Sequence, residues 1–321
     1  MPIRFFSCRS VGLSFFAGAL FLASGSAVFA GEWREGAPST SGHALSASAV
    51  LGEEIYLAGG AGITAPQNTF EAYDTIGDIW RSLPPIPVGL QQASMASAGG
   101  RLYLTGGFSA ESKGADVRSL WVFDPAIGFW VPGADMPGPR AWHQMVSVDG
   151  KLYVIGGIGS HAERVFEFDP VSGEWRTLRG TFPQTRSAFA VAVQGGEIFV
   201  IGGRLTNGAA TERVDVFKPS TETWRQVASL PAPRAGAGAA LFGGRIHVVG
   251  GEQLSPPRTF DDHYVLASDG RSWEKSEPLS TPRHGVAVAG VANRLFVVGG
   301  ATGPGVYTVF TVSDLVNIYK P

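Results

Sequence analysis

The chain has 321 residues, 44% of them hydrophobic and 16% charged, with a net charge of −2. That length suffices for one large core or two ordinary domains. The 44 glycines keep no three-residue period, which excludes collagen, and the apolar content excludes disorder. Nothing forms the basic face that nucleic acid would need.

In chain order, Arg4 and Arg9 precede a largely apolar run over 11–23, and Val28-Phe29-Ala30 puts small residues where a signal peptidase reads them. Residues 1–30 are therefore expected to be a secretory signal, too short to span a bilayer stably. No later apolar run reaches membrane length, so no span is expected after cleavage. Cys8, the single cysteine, precedes the apolar run, whereas a lipid-attachment cysteine would follow it. Residues 31–321 then hold no cysteine, and losing Arg4 and Arg9 takes 25 basic residues to 23 against 27 acidic ones. A secreted chain without disulfides fits a bacterial periplasm or exterior.

Glu32-Trp33-Arg34 reads as an isolated short strand. A double glycine then follows an apolar run six times, at Gly59-Gly60, Gly106-Gly107, Gly156-Gly157, Gly202-Gly203, Gly250-Gly251 and Gly299-Gly300. Before each pair comes a hairpin, with turns such as Asp149-Gly150 and Gly243-Gly244 that supply positive φ. After five of the pairs comes a tryptophan: Trp80, Trp130, Trp175, Trp224 and Trp273. Each repeat thus holds four strands: a small-residue strand a, strand b ending in Gly-Gly, strand c, and strand d with the tryptophan. The sixth repeat stops at Tyr319-Lys320-Pro321, where strand c stops, and Trp33 supplies the missing strand d.

Six such units resemble the kelch family, whose repeat has the same glycine pair, aromatic and tryptophan. The resemblance implies an all-β fold over 31–321: a six-bladed kelch β-propeller with four antiparallel strands per blade, closed by the N-terminal strand completing the last blade. The glycine pairs are expected to let the backbone turn sharply beside a packed aromatic.

The b–c connections are long and vary between repeats, which makes the face bearing the b–c and d–a loops the expected binding face. Arg140, Arg186, Arg234 and Arg283 each stand at the same distance before their glycine pair; His43 and Leu90 take that place in the first two repeats. In kelch domains that bind acidic peptides, some arginines at this position contact carboxylates. The resemblance therefore implies a partial ring of guanidinium groups at the channel mouth. The same arginines could instead bond loop carbonyls and neighbouring acids.

Arg204 and Glu252 directly follow their glycine pairs on the same face, and Trp142 and His143 join them at the mouth. The stretch around Gly250-Gly251-Glu252 and Pro257-Arg258-Thr259 is similar to a segment of bacterial N-acetylneuraminate epimerases, which implies Glu252 as a general base. Two readings follow. One is a secreted binding module for a carboxylated ligand, whether an acidic glycan, a small acid or an acidic peptide. The alternative is a cofactor-free epimerase or mutarotase of an acidic sugar. No metal or other cofactor is expected, because Asp261-Asp262-His263 is the lone acid/His cluster. The copper centre of the galactose oxidase propeller needs a cysteine that residues 31–321 lack, and no nucleophile elbow is present.

Overall fold

The computed structural model describes residues 1–2, 31–112 and 116–321. Apart from its first two residues, the expected signal at 1–30 lies outside the described residues.

Six four-stranded antiparallel sheets arise one per repeat. Blade 1 comprises a (Ala47–Leu51), b (Glu54–Ala58), c (Phe70–Asp74) and d (Ile79–Ser82). Blade 2 comprises Ser94–Ala98, Arg101–Thr105, Leu120–Asp124 and Phe129–Pro132, and blade 3 comprises Gln144–Val148, Lys151–Ile155, Arg164–Asp169 and Glu174–Thr181. Blade 4 holds Ala190–Gln194, Glu197–Ile201, Val214–Lys218 and Thr223–Gln226, and blade 5 holds Gly238–Phe242, Arg245–Val249, His263–Leu266 and Trp273–Ser276. Blade 6 takes a, b and c from Ala287–Val291, Arg294–Val298 and Val316–Lys320, and its strand d is Glu32–Glu35.

That last pairing closes the ring as the sequence implies, with Trp33 opposite Tyr319 and Glu35 opposite Asn317. Trp33 takes the register of the other tryptophans, since Trp80 faces Tyr73, Trp130 faces Phe123 and Trp224 faces Phe217. Four of these indoles also reach backward to the preceding blade. Trp33, Trp80, Trp175 and Trp273 donate Nε1–H to the carbonyls of Glu277, Ala37, Ala134 and Ala228.

The inner strands a meet one another around the axis and line a channel of about 400 Å³. Small residues such as Ala47, Ala96, Ala192 and Ala240 are buried there because six strands converge.

The glycine pairs turn at positive φ, with the packed Phe189 against Gly156 as expected, and they are also joints between blades. The first glycine of each pair has φ near +60°, and a Cβ on it would strike a neighbouring blade's carbonyl oxygen, as Gly59 would strike Leu90 O at 2.2 Å and Gly250 would strike Arg283 O at 2.2 Å. The second glycine donates its N–H to that same oxygen: Gly60 to Leu90 (2.8 Å), Gly107 to Arg140 (2.7 Å), Gly157 to Arg186 (2.9 Å), Gly203 to Arg234 (2.8 Å), Gly251 to Arg283 (2.9 Å) and Gly300 to His43 (2.5 Å). Close approach of two backbones, repeated six times, is what demands glycine here.

Candidate functional site

Two residues beyond each of these accepting carbonyls the chain enters the left-handed region, at Leu45, Gln92, Trp142, Ala188, Gly236 and Gly285, with φ between 50° and 62°. Their backbones form a closed hydrogen-bonded circle around the axis. Gln92 N–H donates to Leu45 O, Trp142 to Gln92, Ala188 to Trp142, Gly236 to Ala188, Gly285 to Gly236, and Leu45 back to Gly285, at 2.7–3.2 Å. Four of the six are not glycine, a conformational cost that the circle of hydrogen bonds sustains. The circle forms the rim of the channel, and it holds the half-buried Trp142 at the mouth.

The four repeated arginines do not line that mouth. Arg140, Arg186, Arg234 and Arg283 are all at most 1% exposed, each folded into its own blade. Arg186 donates Nε–H to Gly202 O (2.7 Å), Nη2–H to Val200 O (3.0 Å) and Nη1–H to the buried Asp215 carboxylate (2.8 Å). Arg234 bonds Gly250 O (3.0 Å) and Asp262 (3.1 Å). Arg283 bonds Gly299 O (2.7 Å) and the Asn317 side chain.

Among the described residues Arg140 has no carboxylate in hydrogen-bond reach; it donates to Arg164 O and His161 O and lies 3.8 Å from the Phe166 ring centre, and burial pushes its pKa down to about 9. The expected partial ring of guanidinium groups is therefore corrected. The fork that suits a ligand carboxylate equally suits the carbonyls of strand b, and burial favours the interior partners. His43 fills the same place in blade 1, with Nε2 2.5 Å from the buried Glu71 carboxylate.

His143 is also withdrawn from the surface. It is buried beside the glycine pairs of blades 2 and 3, under the rim. Burial first, and the nearby Arg140 charge second, hold its pKa down at about 3. Asp261-Asp262-His263 is divided among structural partners: Asp262 pairs with Arg234 and Lys275, and His263 Nε2 meets His247 Nδ1 at 2.8 Å. Among the described residues no group of three or more His, Cys, Asp or Glu could hold a metal ion.

Arg204, Glu252 and Trp142 do converge. Arg204 Nη2 donates to Glu252 Oε1 at 2.6 Å, and the backbone N–H of Gly305 donates to Oε2 at 2.8 Å. Glu252 is 4% exposed, and the buried His284 ring brings Nδ1 to 3.7 Å from Oε2. Arg234, in contrast, points into blade 5. The Arg204–Glu252 pair borders a depression of about 330 Å³ between Trp142, Gln92, Leu254, Val306 and Thr308. A second depression of about 320 Å³ lies between Trp142, Ile158, Arg204 and Leu205. Trp142 and Arg204 are common to both.

Leu254 and the insert of blade 6, a 3₁₀ helix over Gly305–Phe310, are site elements that residue chemistry alone does not reveal. Loop length was the available signal for the insert. The groups that hold His43, Arg186 and Arg283 had one too: Glu71, Asp215 and Asn317 are the polar second residues of their strands c, each between apolar neighbours.

The KLHDC2/KLHL20/DRC7 Kelch-repeats domain matches residues 95–300, and the Kelch motif matches residues 43–87.

The chain belongs to the kelch-repeat family.

Among curated kelch proteins, Kelch-like protein 15 of Danio rerio is 29% identical over 201 residues, covering 55% of this chain and 33% of that protein. Kelch-like protein 35 of Mus musculus is 29% identical over 168 residues, covering 52% and 28%. The match spans about a third of these kelch relatives. A solved structure titled "Structure of YjhT" superposes with a TM-score of 0.76 at 19% identity, covering 87% of this chain and 95% of that one, a likeness of fold.

Proposed function

We propose that this kelch propeller is a binding module whose loop face takes a partner polypeptide segment bearing one carboxylate beside an apolar side chain. The observation that carries the reading is the shared position of Trp142 and Arg204 between two depressions at the channel mouth. Of the five arginines singled out, Arg204 alone keeps an accessible guanidinium, at 19% side-chain exposure. Its pairing with Glu252 leaves the site near neutral, so apolar contact on Trp142, Leu254 and Val306 would supply affinity. The guanidinium would supply orientation.

Selection of a random peptide library on residues 31–321 tests this. Enriched sequences should carry Asp or Glu next to Leu, Phe or Trp. Arg204→Gln and Trp142→Ala should each weaken binding about tenfold or more, in line with the loss of a charge-assisted hydrogen bond or an aromatic anchor. Binders indifferent to both substitutions would sink the reading. Acidic sugars form the second arm. Anomer exchange above the spontaneous rate, lost in Glu252→Gln, would favour proton transfer by Glu252 instead.

A further inference from the structure

One residue from each blade makes up the rim circle, and the six differ in what they put at the mouth. Blades 4, 5 and 6 contribute Ala188, Gly236 and Gly285, which carry almost nothing. Blades 1, 2 and 3 contribute Leu45, Gln92 and Trp142. Leu45 settles over the bare rim of blade 6, where a Cβ on Gly285 would lie 2.7 Å from its Cδ2. Trp142 is the aromatic platform described above. Gln92 is the rim residue that carries a carboxamide.

The backbone of Gln92 is fixed from every side. Its N–H donates to Leu45 O (3.1 Å), and its carbonyl accepts from Trp142 N–H (2.9 Å). Gln91 pairs with Phe108, and both Gln91 O and the Ala93 Cβ crowd Gly107, at 2.7 and 2.9 Å from where a Cβ would stand. A glutamine held at a φ of 56° is strained, and three other blades fill this position with alanine or glycine.

Gln92 lines the 330 Å³ depression with Arg204, Glu252 and Trp142, and also a smaller cavity of about 80 Å³ within the rim. Among the described residues its buried Oε1 has no hydrogen-bond partner. The carboxylate and the hydroxyl that line the same depression are already engaged. Glu252 is held by Arg204 and Gly305 N–H, and Thr308 Oγ1 donates to Gly305 O (2.6 Å). A buried polar atom without a partner keeps its desolvation cost uncompensated, and native interiors hold few of them. A partner brought by the ligand removes that cost.

We infer that Gln92 is a recognition residue for the main chain of the bound segment, the buried end of its carboxamide pairing with a peptide group of that segment. This rests on the segment-binding reading above and adds what that reading lacks, a contact blind to side-chain identity. A carboxamide holds an acceptor and a donor in one plane, the same two functions that a peptide group offers. The match therefore holds whichever end of the amide is turned inward. Arg204 reads one carboxylate and Trp142 one apolar side chain, while Gln92 fixes the backbone to which both belong.

The probe is the strongest peptide from the library selection, resynthesised with each backbone amide in turn replaced by an ester. That exchange deletes the N–H and weakens the carbonyl as an acceptor. One ester, close to the required Asp or Glu, should weaken binding to the wild-type chain about three- to tenfold, as the loss of one hydrogen bond implies. Gln92→Met, which nearly keeps the shape, should bind the parent peptide more weakly by the same factor, and that ester should cost it nothing further. The melting temperature of ligand-free Gln92→Met should be unchanged or higher, since the buried end gives up no bond within the protein. A fall of several degrees would make Gln92 a support of the rim and overturn the inference. So would additive losses, with ester and Gln92→Met acting independently. If Arg204→Gln and Trp142→Ala weaken binding while Gln92→Met does not, the segment reading stands and the role of Gln92 falls. A selection that enriches no peptide removes the reading and this role together.

Discussion

Arg186 and Asp215 show how one repeat position turns from a surface candidate into a core fixture. Both are buried, and the guanidinium also bonds two carbonyls of strand b. Removing one partner of such a pair leaves a charge without compensation, which costs about 3–5 kcal/mol, whereas an exposed pair is worth about 0–1 kcal/mol. Asp215→Ala should therefore lower the urea midpoint far more than Arg81→Ala, which breaks the largely exposed Arg81–Glu54 pair. Equal effects would mean that the buried carboxylate contributes little. Blade 2 already illustrates the apolar solution, with Leu90 at the arginine position and Trp121 at the strand-c position that Asp215 holds in blade 4.

At the scale of the element, the strand Glu32–Glu35 is a short segment with a large mechanical role. It covers the outer edge of blade 6, and Trp33 packs 5.1 Å from Tyr319 and 5.5 Å from His263 between ring centres, tying blade 6 to blade 5. Deleting 31–36 would expose the hydrogen-bonding edge of Val316–Lys320 and open that packing. The melting temperature should fall by about 10 °C or more, as a loss of several kcal/mol implies for a domain of this size. A truncated chain with an unchanged melting curve would contradict closure by this strand. Trp33→Phe keeps most of the packing and loses the hydrogen bond to Glu277 O, so its loss should be near 1 kcal/mol.

The whole molecule should respond to acid through three interior histidines. Burial holds the pKa of His143 and His247 down to about 3 and that of His263 to about 4, against an ordinary value of 6.5. The unfolded chain therefore binds protons that the folded chain refuses. Stability from these groups is complete above pH 6.5 and is lost as pH falls toward 4, by up to about 1.4 kcal/mol per pH unit for each histidine. Carboxylates with lowered pKa, such as Glu71 and Asp262, contribute only further down, below their ordinary values of 4.5 and 3.8. Urea midpoints between pH 7 and 5 isolate the histidines. The slope should flatten in His247→Gln, which removes one ring of the His247–His263 pair, and an unchanged slope would show that this pair is not responsible.

Six glycine pairs, their tryptophans and the stray Trp33 were enough to read blade number, strand count and closure, because each is a local demand repeated in the chain. Gly-Gly tolerates a backbone approach that no side chain permits, and Trp33 marks the one repeat part found out of order. The candidate site was legible only in part. Arg204, Glu252 and Trp142 lie on the expected face because they follow fixed offsets from a joint or rim position. The fate of the repeated arginines was decided elsewhere. Their burial depends on carbonyls of strand b and on Asp215, Asp262 and Asn317 in or beside strand c, 28 to 34 residues away. Likewise the insert reaches Glu252 across 53 residues and an inter-blade boundary. Repeat spacing fixes where a side chain starts, whereas only the packed ring decides which polar groups lie within its reach, and a buried guanidinium goes where those groups are.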